Sequence, residues 1–316
     1  MKELHLEADQ GKPEKPLLHF WGLGDLHYRA TDSWQPLHRP RMQQMYEDLH
    51  EIWQAEGEPA FCVSPGDIAD RGAPINFELA KRDIAAHLKH IPFYPGLGNH
   101  EYFLETWESE PRKPEAFTEA WGFPIRYAWT AGDFAFLMLD QPVTESTDVI
   151  FSQEALDFLD TTLSEHAERK AIIFAHCPLH NTVLDRDPEK NLDDDSLDPY
   201  FFVSNSDEVR AVLARHQNAA LYISGHTHSG WGSPQLVCTE QLGEHPVTHL
   251  NLMSPWYTGM TGPTPNPDWD HLIYVADTPD LLVTFGFYLY ETRAIVRARS
   301  HNTKCRLGQW EIPLCR

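Results

Sequence analysis

The chain has 316 residues, 41% of them hydrophobic and 23% charged, with a formal net charge of −22. That length supports a sizeable core in one large domain or two ordinary ones, and the composition is that of a folded globular protein rather than a disordered one. The acidic surface repels phosphate backbones and so disfavours a nucleic-acid groove; no apolar run has the length that spans a bilayer.

Residues 1–16, "MKELHLEADQGKPEKP", are polar and lack the apolar stretch of a secretory signal. The five cysteines, Cys62, Cys177, Cys238, Cys305 and Cys315, are odd in number and contain no CxxC pair. Reduced thiols in a cytoplasmic protein fit that pattern better than a disulfide framework, although Cys305 and Cys315 could pair.

The segment 17–24, "LLHFWGLG", reads as a strand ending in a glycine turn. In 41–54, Met42, Met45, Leu49, Ile52 and Trp53 fall on one helical face. A second strand is expected at 60–66, a helix at 76–91, and a short strand in "FYPG" just before "LGNHEY". Residues 126–140 read as a hairpin turning at Gly132-Asp133, and 152–169 as a helix with Ser152 at its N-cap. A strand at 170–178, a helix at 206–217 capped by Ser206, and a strand at 220–230 follow. The acidic, aperiodic stretch 184–199 reads as a solvated loop or as a lid beside a site. From Val247 onward the pattern is β-rich, in "VTHLNLMS", "LLVTFGFYLYET" and "RAIVRARS". Strands with helical crossovers, then strands alone, suggest two packed sheets with helices outside.

Residues that bind metals recur where these strands end. Asp25 and His27 follow the first in "GDLH", Asp67 and Asp70 the second in "GDIADRG", and Asn99 and His100 the third in "GNHE". His176 follows a later strand in "AHCP", with His180 close behind, and His226 and His228 follow another in "GHTH". Sites in open α/β sheets gather at the carboxyl ends of strands, so these groups are expected to converge. Carboxylates, neutral imidazoles and an amide carbonyl, with no thiolate, suit Mn, Fe, Zn or Co rather than a structural zinc site. One ion cannot use all of these groups; two ions sharing a bridging carboxylate can.

The ordered series DxH, GDxxD, GNHE, H, GHxH resembles the calcineurin-like metallophosphoesterase superfamily, over about Leu17 to Gly230. The resemblance implies a four-layer α/β/β/α sandwich, of two mixed sheets flanked by helices. The remainder is placed by pattern alone: a single domain over 17–316 is expected, with its motifs in 17–230 and a β-rich part in 231–316. By the same resemblance, Asp25, His27 and His228 match the ligands of one divalent ion, and Asn99, His176 and His226 those of a second. Asp67 matches the carboxylate that bridges them. His176 is preferred over His180 because the family ligand stands two residues before a proline, here Pro178. His100 matches a histidine that contacts the substrate phosphate and protonates the leaving group, and Asp70 the carboxylate that holds it. Arg71 is a candidate phosphate ligand, and Glu101 a hydrogen-bond partner of nearby backbone or ligands.

The implied activity is metal-dependent hydrolysis of a small-molecule phosphoester, in which a hydroxide held between two ions attacks phosphorus in line. Departures from the family narrow it. Leu97 stands where the protein Ser/Thr phosphatases have an Arg before GNHE, and Tyr28 where they have Gly. Asp70 stands where purple acid phosphatases have a Tyr. What remains resembles the small-molecule esterases, among them the class III cyclic nucleotide phosphodiesterases. A phosphodiesterase is expected first and a phosphomonoesterase second; a catalytically silent metal-binding scaffold is the rival from another class. Trp107, Trp121, Trp231, Trp256 and Tyr257 could wall a pocket for a planar group or simply pack. The part from Val247 onward is expected to complete the second sheet.

Overall fold

The computed structural model describes residues 14–102, 114–140, 149–183, 201–231, 233, 235–256 and 280–314. The acidic stretch 184–199, Trp107, Tyr257 and Cys315 lie outside the described residues.

Among the described residues the strands form two six-stranded sheets. The first takes β1 (Leu18–Gly22), β2 (Cys62–Ser64) and β3 (Phe93–Pro95), then β10 (Val283–Leu289), β11 (Arg293–Ser300) and β12 (Cys305–Pro313). The second takes β4 (Tyr127–Ala131), β5 (Phe134–Met138), β6 (Lys170–Phe174), β7 (Ala219–Ser224), β8 (Val237–Leu242) and β9 (His245–Asn251). β1, β2 and β3 run parallel, as do β5, β6, β7 and β9, while the remaining pairings are antiparallel, so both sheets are mixed.

Period-two alternation along the strands sets the layers. Phe20 points between the sheets, where it meets Phe61, Phe136, Phe174 and Phe287. Its ring stacks on Phe287 at 4.5 Å, a geometry that adds about 0.5–1.5 kcal/mol beyond the area buried. Trp21, one residue on, points the other way, to α1 (Gln35–Glu56) and α2 (Pro74–Leu88), among Met42, Met45, Leu49 and Ile84. On the far side, α4 (Gln153–Glu165) and α5 (Ser206–Leu213) cover the second sheet through Leu156, Leu159, Leu163, Val209 and Leu213. The result is the expected α/β/β/α sandwich.

The differences from the sequence reading have local causes. α1 starts well before Arg41 because Pro36, in its first turn, has no N–H that the helix needs, and the helix continues through Pro40. α3 (Glu115–Trp121), β8 and β12 were not anticipated; α3 is too short to show a clear period. Ser206 does not cap α5 from outside. It is the first helical residue, and its hydroxyl donates to Val203 O and accepts from His180 N, while Asn205 holds the cap position. Ser152 does cap α4, accepting the Ala155 N–H at 3.2 Å. The hairpin turns at Gly132, whose φ of 56° suits glycine in a tight turn.

The C-terminal part does not simply complete the second sheet. β8 and β9 extend that sheet, but β10, β11 and β12 return to the first, with β10 pairing antiparallel to β1. A strand reads the same in sequence whichever sheet accepts it; pairing partners are a tertiary choice. No helix among the described residues is long and apolar enough to cross a membrane.

Candidate metal centre

β1, β2, β3, β6 and β7 all point their carboxyl ends to one edge of the sandwich, and the loops that follow carry the motif residues. One ligand atom each from Asp25, His27, Asp67 and His228 lies within 4.8 Å of the others, and all four residues are buried. Asp67, His176 and His226 form a second group by the same measure, so Asp67 belongs to both. Asn99 joins the second, its Oδ1 standing 3.1 Å from His176 Nε2 and 3.1 Å from His226 Nδ1. His180 is apart from both groups, with its ring against Phe202.

The spacing fits ions. Two ligand atoms about 2.1 Å from one cation, at right angles to each other, stand about 3.0 Å apart. His27 Nε2 and His228 Nε2 are 3.0 Å apart, and His176 Nε2 and Asp67 Oδ2 are 3.1 Å apart. Asp25 Oδ1 accepts the His226 N–H, but Asp25 Oδ2 is buried without a hydrogen-bond donor among the described residues. A buried carboxylate oxygen in that state is costly, and a cation would satisfy it.

Electrostatics point the same way. Burial, opposed by His176 and reinforced by the Asp67 charge, pushes the Asp25 carboxyl up to about 7. Burial and Asp67 also lift Glu101 to about 7. Asp67 is itself held below the usual range, because the surrounding imidazoles outweigh its burial. Crowded buried carboxylates of this kind are relieved by positive charge. The donor set, oxygen and imidazole nitrogen without thiolate, therefore fits two divalent ions.

The backbone is bent to present these groups. His27, Asp67, His226 and His228 have φ of 50°, 51°, 70° and 49°. Non-glycine residues in this left-handed region cost on the order of 1–3 kcal/mol each and cluster at functional sites. Glycine permits the close approach of the loops: a Cβ at Gly98 would fall 2.3 Å from Asp67 Oδ1, and one at Gly225 would fall 2.4 Å from Asp25 Oδ2. Glu101 ties two loops together by accepting the N–H groups of Asp67 at 3.0 Å, Ala69 at 2.8 Å and Gly98 at 2.8 Å.

His100 stands at the rim, its side chain 13% exposed. Its Nδ1 lies 2.9 Å from the Asp70 carbonyl and 3.5 Å from Asp70 Oδ1, leaving Nε2 to face the centre, 4.0 Å from Asp67 Oδ2. Burial alone would lower this imidazole, but Asp67 and Asp70 outweigh it and raise it to about 9. Asp70 does more than sequence reasoning assigned to it. Its Oδ1 is 3.2 Å from His27 Nδ1, which fixes that ring with Nε2 toward His228. Asp70 also pairs with Arg71 and with Arg29, each at 3.2 Å. Arg71 lies against His100, 3.2 Å from its Nδ1. Arg29 carried no motif signal and was missed.

Among the described residues, the three tryptophans considered for an aromatic wall pack instead. Trp256 is buried against Trp34 and His38, Trp231 stands edge-on to Trp310, and Trp121 packs on Phe93. Of the cysteines, Cys62, Cys177, Cys238 and Cys305 are free thiols.

Fold and donor set together fit a centre of two divalent ions. The calcineurin-like phosphoesterase family model matches residues 18–230, more than half of the chain, and the protein belongs to that family. A manganese-dependent ADP-ribose/CDP-alcohol diphosphatase from Danio rerio is 27% identical over 151 residues, 47% of this chain; the match spans only 34% of that relative's length. A probable glycerophosphodiester phosphodiesterase from Arcobacter nitrofigilis is 22% identical over 218 residues, 66% of this chain and 68% of that protein. Among solved structures, a dimetal phosphatase from Danio rerio shares the fold with a TM-score of 0.63 and 18% identity, covering 95% of this chain and 100% of that one.

Proposed function

We propose that this protein hydrolyses small-molecule phosphodiesters, including diphosphate-linked ones, at a centre of two divalent ions. Asp25, His27 and His228 would hold one ion, Asn99, His176 and His226 the other, and Asp67 both. One observation carries the reading: the two ligand groups share Asp67, and His100 faces that shared carboxylate from the rim. When bound, the ions supply a water-derived nucleophile near neutral pH and positive charge for the phosphoryl oxygens.

The chain's own groups supply the rest. The Asp70 carbonyl accepts the proton on His100 Nδ1, so Nε2 is the nitrogen turned to substrate, and the nearby carboxylates favour the protonated form that a general acid needs. Arg71, held by the Asp70 carbonyl at 2.6 Å, places a planar guanidinium where it can meet phosphate oxygens. Asp70 thereby aligns an ion ligand, a proton donor and a phosphate-binding cation together.

The preference for diesters draws its support from the relatives. In ADP-ribose, CDP-alcohols and glycerophosphodiesters, each phosphorus carries two ester or anhydride links. The test is a rate comparison of the Mn²⁺-loaded protein on bis(p-nitrophenyl) phosphate and p-nitrophenyl phosphate; manganese is chosen because the Danio rerio diphosphatase is named for it. Faster diester cleavage is expected. Faster monoester cleavage would replace the proposal with a phosphatase, and two bound ions with no turnover of either would favour the scaffold.

His100→Ala is expected to slow hydrolysis of an unactivated alkyl ester by about 10²–10⁴-fold, the usual worth of general acid–base help. A p-nitrophenyl ester, whose leaving group needs no proton, should be far less affected, and bound metal should be unchanged. Equal rates of variant and wild type on the alkyl ester would remove His100 from this role.

A further inference from the structure

Asn251, at the end of β9, lies outside the family match, which stops at residue 230. It is completely buried, and both ends of its amide are hydrogen-bonded. Nδ2 donates to Gly225 O at 2.6 Å and to Ser224 Oγ at 3.1 Å, and Oδ1 accepts the Thr227 hydroxyl at 3.1 Å. Thr227 in turn lies 2.8 Å from Ser229 Oγ. One side chain therefore holds the turn 224–227, which contains His226 and leads into His228, both in left-handed backbone. Three residues on, Ser254 Oγ donates to Asp25 O at 2.7 Å, and the Leu252 N–H donates to Ser224 O at 2.7 Å.

We propose that Asn251, assisted by Ser254, is a positioning residue for the metal centre: it locks the strained turn after β7 in the conformation that aims His226 and His228, and braces it against the loop of Asp25. The inference rests on the dimetal reading above. An asparagine is suited to the place because the turn offers an acceptor, Gly225 O, and a donor, the Thr227 hydroxyl, on opposite sides of one planar amide. Without the amide the turn keeps its glycine but loses the bonds that offset its strain, and it relaxes toward ordinary backbone. Groups that orient ligands in this way typically carry about 10–100-fold in metal affinity.

The test is titration of Mn²⁺ into the metal-free full-length protein, followed by calorimetry and by the Mn²⁺ EPR signal, with thermal melts of the same samples. Asn251→Ala is expected to bind Mn²⁺ at least about tenfold more weakly per folded chain. Thr227→Val, which deletes a single hydroxyl and guards against a misfolded alanine variant, should show a smaller loss in the same direction. Leu163→Ala, in the helix layer remote from the turn, should lower the melting temperature with affinity unchanged. If Asn251→Ala and Thr227→Val both melt lower but bind like wild type, the role is structural and the inference is wrong. If wild type itself binds no Mn²⁺, the dimetal reading fails first.

Discussion

Asp67→Asn should cut turnover by about 10³-fold or more, corresponding to about 4 kcal/mol of transition-state stabilisation, while leaving the fold intact. Asp67 is the one residue common to both ligand groups, so replacing its charge weakens both at once. Asparagine tolerates the left-handed backbone of this position, where φ is 51°, and its side-chain oxygen can still accept the His100 N–H that Asp67 Oδ1 accepts at 3.0 Å. The metal-free variant is expected to stay folded but to melt somewhat lower than wild type: the imidazoles that hold the Asp67 carboxyl below its usual range lose their partner charge, which the relief of Asp25 and Glu101 only partly offsets. Metal content by mass spectrometry should fall below two ions per chain alongside the rate. Wild-type turnover with two ions bound would show that Asp67 is not the shared ligand.

Asp48→Ala should cost about 3 kcal/mol of stability, because it leaves a partly buried guanidinium and a buried imidazole without their acceptor. Asp48 is fully buried on α1. It accepts Arg299 twice, at 2.8 and 2.7 Å, and His301 Nδ1 at 2.8 Å. The network continues inward: Thr284 Oγ1 lies 2.6 Å from His301 Nε2 and accepts Trp21 Nε1 at 2.5 Å. Removal of the carboxylate leaves a guanidinium and an imidazole N–H without their acceptor and loosens α1 from β10 and β11. Urea denaturation measures the loss; a change below about 1 kcal/mol would place Asp48 among ordinary surface pairs.

The same network contributes to the acid limit. Burial raises the Asp48 carboxyl, but the Arg299 and His301 bonds outweigh it and hold it at about 2 against a usual 3.8. Its contribution is complete above the unfolded value and is lost as pH falls from about 4 to about 2. Burial keeps His301 below its usual 6.5, with Asp48 opposing. Below pH 6.5 the unfolded chain therefore takes up a proton that the folded chain refuses, and stability falls there too. Both effects make the protein more stable as pH rises. In Asp48→Asn the loss between pH 4 and 2 should be reduced, which pH-dependent denaturation midpoints would reveal.

The convergence of the candidate ligands was legible in the sequence because these residues sit in short motifs at strand ends. DxH, GDxxD, GNHE and GHxH keep their donors within a few residues of a strand that local pattern already reveals, and strand ends converge in any such sandwich. The cap at Ser152 and the turn at Gly132 were legible for the same reason, since each is decided by neighbours in the chain. Asn251, Ser254 and Arg29 were not, because nothing adjacent to them in sequence requires them. Their partners are brought to them by β9 pairing with β7, and by the loops of β1 and β2 meeting above the sheet.

The sequence by itself determined the candidate ligand types, their order and the strand ends that present them, since these depend on residue chemistry and on period-two and helical patterns. Tertiary structure alone decided that β10 to β12 join the first sheet and β8 and β9 the second, that Asp70 serves His27 as well as His100, and that Asp48 meets Arg299 and His301. Each of those depends on which distant segments pack together, and packing is settled by burial and hydrogen-bond satisfaction over the whole chain, which no local stretch of residues encodes.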